Sequence, residues 1–357
     1  MWALGATPAE IQDMWDYNAR YQDSMNGGDS SANSSDLHEI NVKGMEAVVK
    51  EYLLQGEERA NDILGRMFAA FFPSDLVHPI IHLGCGIEFQ QSSLVAEALA
   101  GACVHENWPK TFLLQTEEYV LESLRENPDI AAGTKETDPF NKIPDGFLKR
   151  VTPAQLVPYL ARFQVKPEPA DLRRKMSDIM HTTAYMIAAA QRPGKHAAMD
   201  FVTLHAVTLA VFFPAILAQS WLSDAEKARL LEATVRVDTV MYAGTGCPPL
   251  YADRVVNYVP RHSTDGWPEL FHRANVYRDE GHAVKLLRSM YALEQLDLAP
   301  DFPIAKHDFF QIAHMSMDSI ERAVDQAEGN HVSEEVAAGV VKWVGQGGDM
   351  VVANMTR

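Results

Sequence analysis

Cysteine is scarce in this chain: three residues in 357, Cys85, Cys103 and Cys247. Three scattered thiols build neither a disulfide framework nor a cysteine-rich zinc site, and their scarcity predicts a reducing, cytoplasmic setting. Positive charge is also in short supply. Lys and Arg number 31 against 48 Asp and Glu, a formal net charge of -17 at pH 7. A chain of that sign repels phosphate backbones and anionic lipid, so neither nucleic acid nor a membrane surface is an expected partner. The densest basic run, Arg173-Arg174-Lys175, is too short to override this. The opening segment MWALGATPAEIQDMW has no basic stretch followed by an apolar one, so no secretory leader is expected. Long apolar runs are limited to one, FVTLHAVTLAVFFPAILAQSWL at 201–222. It is long enough to cross a bilayer, but it carries Thr203, His205, Thr208, Pro214 and Gln219, and a buried central helix is the expectation.

Familiar catalytic signatures are missing too. Gly84-Cys85-Gly86 is followed by Phe89 where a dinucleotide fingerprint needs a third glycine, and Gly244-Thr245-Gly246 runs into Pro248-Pro249. There is no G-x-S-x-G, no H-E-x-x-H and no P-loop. Hydrolase, kinase and Rossmann-dehydrogenase readings therefore lose their support.

What is present is helical periodicity. Hydrophobic residues make up 47% of the chain, enough for a large interior. Alternating runs of the strand type are few, and no repeat of fixed period occurs. The expected fold is all-α: a single domain over 1–357 with long connecting loops. Thr7-Pro8-Ala9-Glu10 reads as a helix start. A polar loop is expected over 24–36 and helices over 45–72, then over 92–104, 153–163, 169–191, 197–221, 224–241, 275–296, 308–326 and 334–344. Ser223 is the expected cap of the helix over 224–241, and 127–143 is expected to be a surface excursion.

Among thirteen histidines, three sit in apolar surroundings where a charged or unpaired imidazole is costly. These are His78 in HPIIHLGCGIEF, His205 in TLHAVT and His282 in DEGHAVKLLRSM, with His82 a weaker fourth. His282 and Lys285 stand i,i+3 apart and share a helix face. A lysine buried there loses its proton readily, and the neutral amine can capture carbon dioxide as a carbamate. Imidazoles with one carboxylate-like oxygen suit non-haem iron. The competing roles are plain ones: a core histidine satisfied by a backbone carbonyl, and a surface pairing of Lys285 with Asp279 or Glu280.

Taken together, HPIIHLGCGIEF, VAEALAGACVH, LHAVT and DEGHAVKLLRS occur in the order and rough spacing of the questin oxidase-like family, and MWALGATPAEIQDMWDYNARYQ resembles that family's early segment. The resemblance covers nearly the whole chain. It implies an oxidoreductase of aromatic polyketide metabolism that uses dioxygen to oxidise or cleave a ring of an anthraquinone-type substrate. It also implies an Fe(II) site with His78, His205 and His282 as ligands and Lys285 as the carbamate, His282 and Lys285 being catalytic. His78 or His82 fills the first position, with His78 favoured. The family's fourth histidine belongs upstream of the segment that opens here with MWALGATP, so this chain is expected to lack that ligand, which weakens such a site.

Phe89, Gln90, Trp108, Phe212 and Met290 are the expected substrate-binding residues, joined by Gln91 and Phe213; plain packing or an exposed turn is the competing role of each. Family members have also been described as NADPH-dependent Baeyer–Villiger-like oxygenases, which gives a metal-free alternative. A non-catalytic helical ligand binder is another.

Overall fold

A computed structural model describes residues 1–19, 77–104, 127–135, 143, 146–191, 193–279 and 281–329. Among these there is no strand, and the fold is all-α as expected. The α-helices in chain order are α1 Pro8–Ala19, α2 His78–Glu88, α3 Ser92–Val104, α4 Pro128–Ala131, α5 Pro153–Leu160, α6 Pro169–Ala189, α7 Phe201–Ala210, α8 Phe213–Leu217, α9 Asp224–Gly244, α10 Ala252–Val256, α11 Trp267–Val276, α12 His282–Leu293 and α13 Asp308–Gly329. The helices expected over 45–72 and 334–344 and the loop over 24–36 lie outside the described residues.

Chain contacts gather the molecule into two compact units. The first takes Met1–Asp29, Met180–Val211 and Pro249–Arg357; the second takes Ser30–Ile179 and Phe212–Pro248. Helix α6 contributes to both.

In the first unit α12 and α13 pack as a pair, with α7 and α11 against α12. Leu270, Ala274, Leu286, Leu287, Met290, Phe309, Ile312 and Met317 are fully buried between them. The amphipathic spacing of α12 and α13 turns those side chains to one side. Thr7 starts α1 as its sequence suggests: its hydroxyl accepts from the Glu10 amide at 3.3 Å, and the Glu10 carboxylate accepts from the Thr7 amide at 2.7 Å. A buried ion cluster crosses the unit. Arg273 on α11 donates to Asp265 at 3.0 Å, to Asp318 at 3.2 Å and to Glu321 at 2.7 Å. Asp318, fully buried on α13, also accepts from the Tyr258 hydroxyl and the Arg261 amide, each at 2.8 Å.

In the second unit α2 and α3 form an antiparallel pair, with α8 against α2 and α5 against α9. Two glycines bring the backbones of the pair and of α8 close. A Cβ on Gly84 would lie 2.5 Å from the Phe212 side chain, and one on Gly86 would lie 2.6 Å from Val95. Ser223 caps α9 as expected: its hydroxyl accepts from the Glu226 amide at 3.3 Å while the Glu226 carboxylate accepts from the Ser223 amide at 2.6 Å.

Three expectations need correction. The segment 127–143 is not a plain surface excursion. Ile130 and Ile143 are buried, and the Thr134 hydroxyl donates to the Gly244 carbonyl at 3.1 Å, docking the segment on the end of α9. The run 197–221 is two helices, because Pro214 lacks the N–H that a continuing helix needs and instead falls in the first turn of α8. The run 275–296 is also divided: α11 stops at Val276 and α12 begins at His282, after Gly281 at φ +75°. No helix among the described residues is long and apolar enough to cross a membrane.

Candidate metal centre

Two of the expected ligands meet inside the first unit, each delivered near the start of a helix. Asp200 begins α7. Its carboxylate accepts from the Val202 amide at 3.0 Å and the Thr203 amide at 2.9 Å, satisfying donors that the first turn leaves open. His205 follows one turn in and is fully buried. Its Nδ1 lies 2.7 Å from the carbonyl of Phe201. A carbonyl can only accept, so Nδ1 carries the proton, and in the neutral ring Nε2 keeps its lone pair. That is the tautomer a metal ligand needs, set by the hydrogen bond its other nitrogen makes.

His282 is the first residue of α12 and is 7% exposed. The rings of His205 and His282 are 5.5 Å apart, centroid to centroid, and their ligand nitrogens lie within 4.8 Å of each other. Phe201 borders both, 4.7 Å from the His205 ring and 5.1 Å from the His282 ring, and gives the pair an apolar wall. Two buried imidazoles are a donor set for zinc, copper, nickel or iron, and without thiolate they are no iron–sulfur site. Lys285 stands one turn along α12 and is half-buried.

His78 belongs to the second unit and is the first residue of α2, preceded by Val77 at φ +47° and followed by Pro79. It is half-buried. Its ring lies 6.0 Å from that of His82, nearly parallel at 21°. His82 is half-buried as well, and its Nδ1 is 3.6 Å from the Glu97 carboxylate.

The expected substrate residues belong to different elements. Phe89 and Gln90 are exposed in the turn between α2 and α3, with Gln90 at φ +53°, and Gln91 beside them is exposed as well. Phe212 and Phe213 are buried in the second unit, where Phe212 closes against Gly84. Met290 is buried in α12. Trp108 lies outside the described residues.

Sequence reasoning passed over Asp200, Phe201 and Gly281, and considered Asp279 only as a surface partner of Lys285. Asp200 carried a readable signal, an aspartate just before an apolar helical run. Phe201 carried none, since an aromatic in an apolar run reads as core.

Comparison with known proteins agrees with the local motifs. Residues 35–290 match the model of the family described as questin oxidase-like. Oxidoreductase AflY of Aspergillus parasiticus is 37% identical over 398 residues, covering 96% of this chain and 79% of its own length. Questin oxidase of Aspergillus fumigatus is 33% identical, covering 79% of this chain and 67% of its own length. Baeyer-Villiger oxidase ptaJ of Pestalotiopsis fici is 30% identical over 89% of this chain and 80% of its own length. A family match across most of the sequence, with relatives that share a third of its residues along nearly their whole common length, means that the chain belongs to the questin oxidase-like family and is an oxidoreductase.

Proposed function

We propose that this protein uses dioxygen to oxidise or cleave a ring of an anthraquinone-type aromatic polyketide, at a non-haem Fe(II) held by His78, His205 and His282 with Lys285 as a carbamate. The observation that carries the reading is the His205–His282 pair: buried, neighbouring, and with the His205 ring held in one tautomer by the 2.7 Å bond from Nδ1 to the Phe201 carbonyl. The approach of the His82 ring to the Glu97 carboxylate gives that imidazole another partner and supports His78 as the third one. Lys285, one turn after His282, is on the face where a carbamate oxygen would complement the imidazoles.

When bound, iron supplies the one-electron chemistry that lets triplet dioxygen react with a closed-shell aromatic ring. The chain's own residues do the rest. The Phe201 carbonyl holds the His205 ring in one tautomer and orientation. The Phe201 ring keeps water from both imidazoles, which lowers the local dielectric and favours neutral donors. The substrate class rests on relatives named questin oxidase and Baeyer-Villiger oxidase.

The test begins with anaerobic loading of the purified chain with ferrous iron, metal analysis, and oxygen uptake with a hydroxylated anthraquinone. His205→Ala and His282→Ala should each lose bound iron and oxygen uptake together, and His78→Ala should do so where His82→Ala does not. Full iron in both His205→Ala and His282→Ala would sink the metal reading. Relatives named Baeyer-Villiger oxidase support a second reading, a Baeyer–Villiger oxygenase, for which the counter-proposal is NADPH dependence without metal. Product formed in step with NADPH consumption by chelator-treated protein is its signature.

A further inference from the structure

We infer that Asp279 is a positioning residue that, with Gly281, fixes the angle at which His282 is presented to a metal; the inference rests on the ferrous-site reading above. The segment between α11 and α12 is short and tied along its length. The Tyr277 hydroxyl donates to the Ile320 carbonyl at 3.4 Å, and the Asp279 amide donates to the Tyr277 carbonyl at 3.2 Å. The Asp279 carboxylate then spans the ligand. One oxygen accepts from the Gly281 amide at 2.6 Å and the other from the Ala283 amide at 2.8 Å, the residues on either side of His282. Both oxygens of one carboxylate are thus spent on the backbone that carries the imidazole.

Gly281 completes the arrangement. It adopts φ +75°, ψ +17°, a left-handed conformation that lets the chain leave the Asp279 turn and enter α12 in a single residue. A Cβ there would meet nothing within 4 Å, so the requirement for glycine is one of backbone angle and not of space. The Lys285 amide closes the first α12 hydrogen bond onto the Gly281 carbonyl at 3.0 Å. Asp279, Gly281, His282 and Lys285 therefore form one rigid unit, in which the start of the helix sets the direction of the His282 side chain. His205 is held the other way, by a hydrogen bond on the ring itself.

Cobalt(II) is the probe, because its visible spectrum reports ligand number and geometry and its binding is measured without turnover. The full chain and its Asp279→Ala, Asp279→Asn and Gly281→Ala variants are titrated anaerobically, and the thermal midpoint of each is recorded without metal. Asp279→Ala is expected to weaken cobalt binding by about 10- to 100-fold and to alter the spectrum of the bound ion, as loss of an orienting partner does at metal sites. Asp279→Asn keeps one oxygen acceptor and should recover part of the affinity. Gly281→Ala should weaken binding in the same direction. A helix cap with no role in presentation would lower the metal-free midpoint yet leave the affinity and spectrum of the folded protein unchanged, and that result overturns the inference. Should Asp279→Ala fail to fold, Asp279→Asn decides alone: wild-type affinity with a wild-type spectrum refutes it. A wild-type chain that binds no cobalt removes the metal reading itself, a failure distinct from uptake that is insensitive to Asp279.

Discussion

Asp238 has no reason to be charged where it sits. It lies in α9, fully enclosed, and neither carboxyl oxygen has a hydrogen-bond partner among the described residues. Hydroxyls at i-4 and i+4 are engaged elsewhere: Thr234 donates to the Leu230 carbonyl and Tyr242 to the Pro248 carbonyl. Burial alone pushes the Asp238 carboxyl well above the usual carboxylate range. The consequence for stability has a definite sign. The unfolded chain gives up this proton first, so it binds fewer protons than the native chain as pH rises past the ordinary aspartate value, and native stability falls until the raised native value is passed. Asp238→Asn should remove that slope, because an amide has no proton to lose in this range, while leaving the cost of an unmet buried polar group in place. Urea unfolding of both proteins across a pH series checks it; a steeper loss for Asn would contradict it. His314 in the first unit is pushed the opposite way, its burial holding it below the ordinary imidazole value against the pull of Asp318.

Helix α2 carries His78, and its placement depends on atoms that are not there. Gly84 faces Phe212, and any side chain larger than hydrogen would have to push that ring or the helix away. Gly84→Ala should therefore cost about 1–3 kcal/mol, more than the small gain a helix interior has from alanine. The cost should largely vanish in a Phe212→Ala background, which a double-mutant cycle in denaturant measures. Element boundaries show what local chemistry announces. Thr7 with Glu10 and Ser223 with Glu226 are capping pairs visible in the sequence, and the helices start where those pairs put them. The break before His282 was missed because Gly281 is a single residue inside a plausible periodic run, and only its φ of +75° reveals it. The run 201–222 was read as one buried helix; it is buried as far as Phe213, but Pro214 divides it, and Pro214, Ala218 and Ser220 are exposed.

On the scale of the whole molecule, charge and packing answer different questions. The excess of acid disfavours polyanionic partners and says nothing of how the remaining cations are used. Arg273 shows how. It joins Asp265, Asp318 and Glu321 from separate parts of the first unit, and burial, which alone would lower its proton affinity, is outweighed by those carboxylates. Arg273→Met should destabilise the protein by about 3–5 kcal/mol, because it leaves the wholly buried Asp318 without its cation; a shift in the urea midpoint at unchanged slope is the expected record.

By itself the sequence determined the all-α class, the capped helix starts, the family, and which histidines stand in apolar surroundings, since each of these is a matter of local pattern and composition. Tertiary structure alone decided that His205 and His282 are neighbours, that Phe201 walls them, and that the turn at 127–135 docks on α9. It could not be otherwise. Residues 77 positions apart meet only through the packing of helices, and no periodicity within either helix encodes which partner the other face will find.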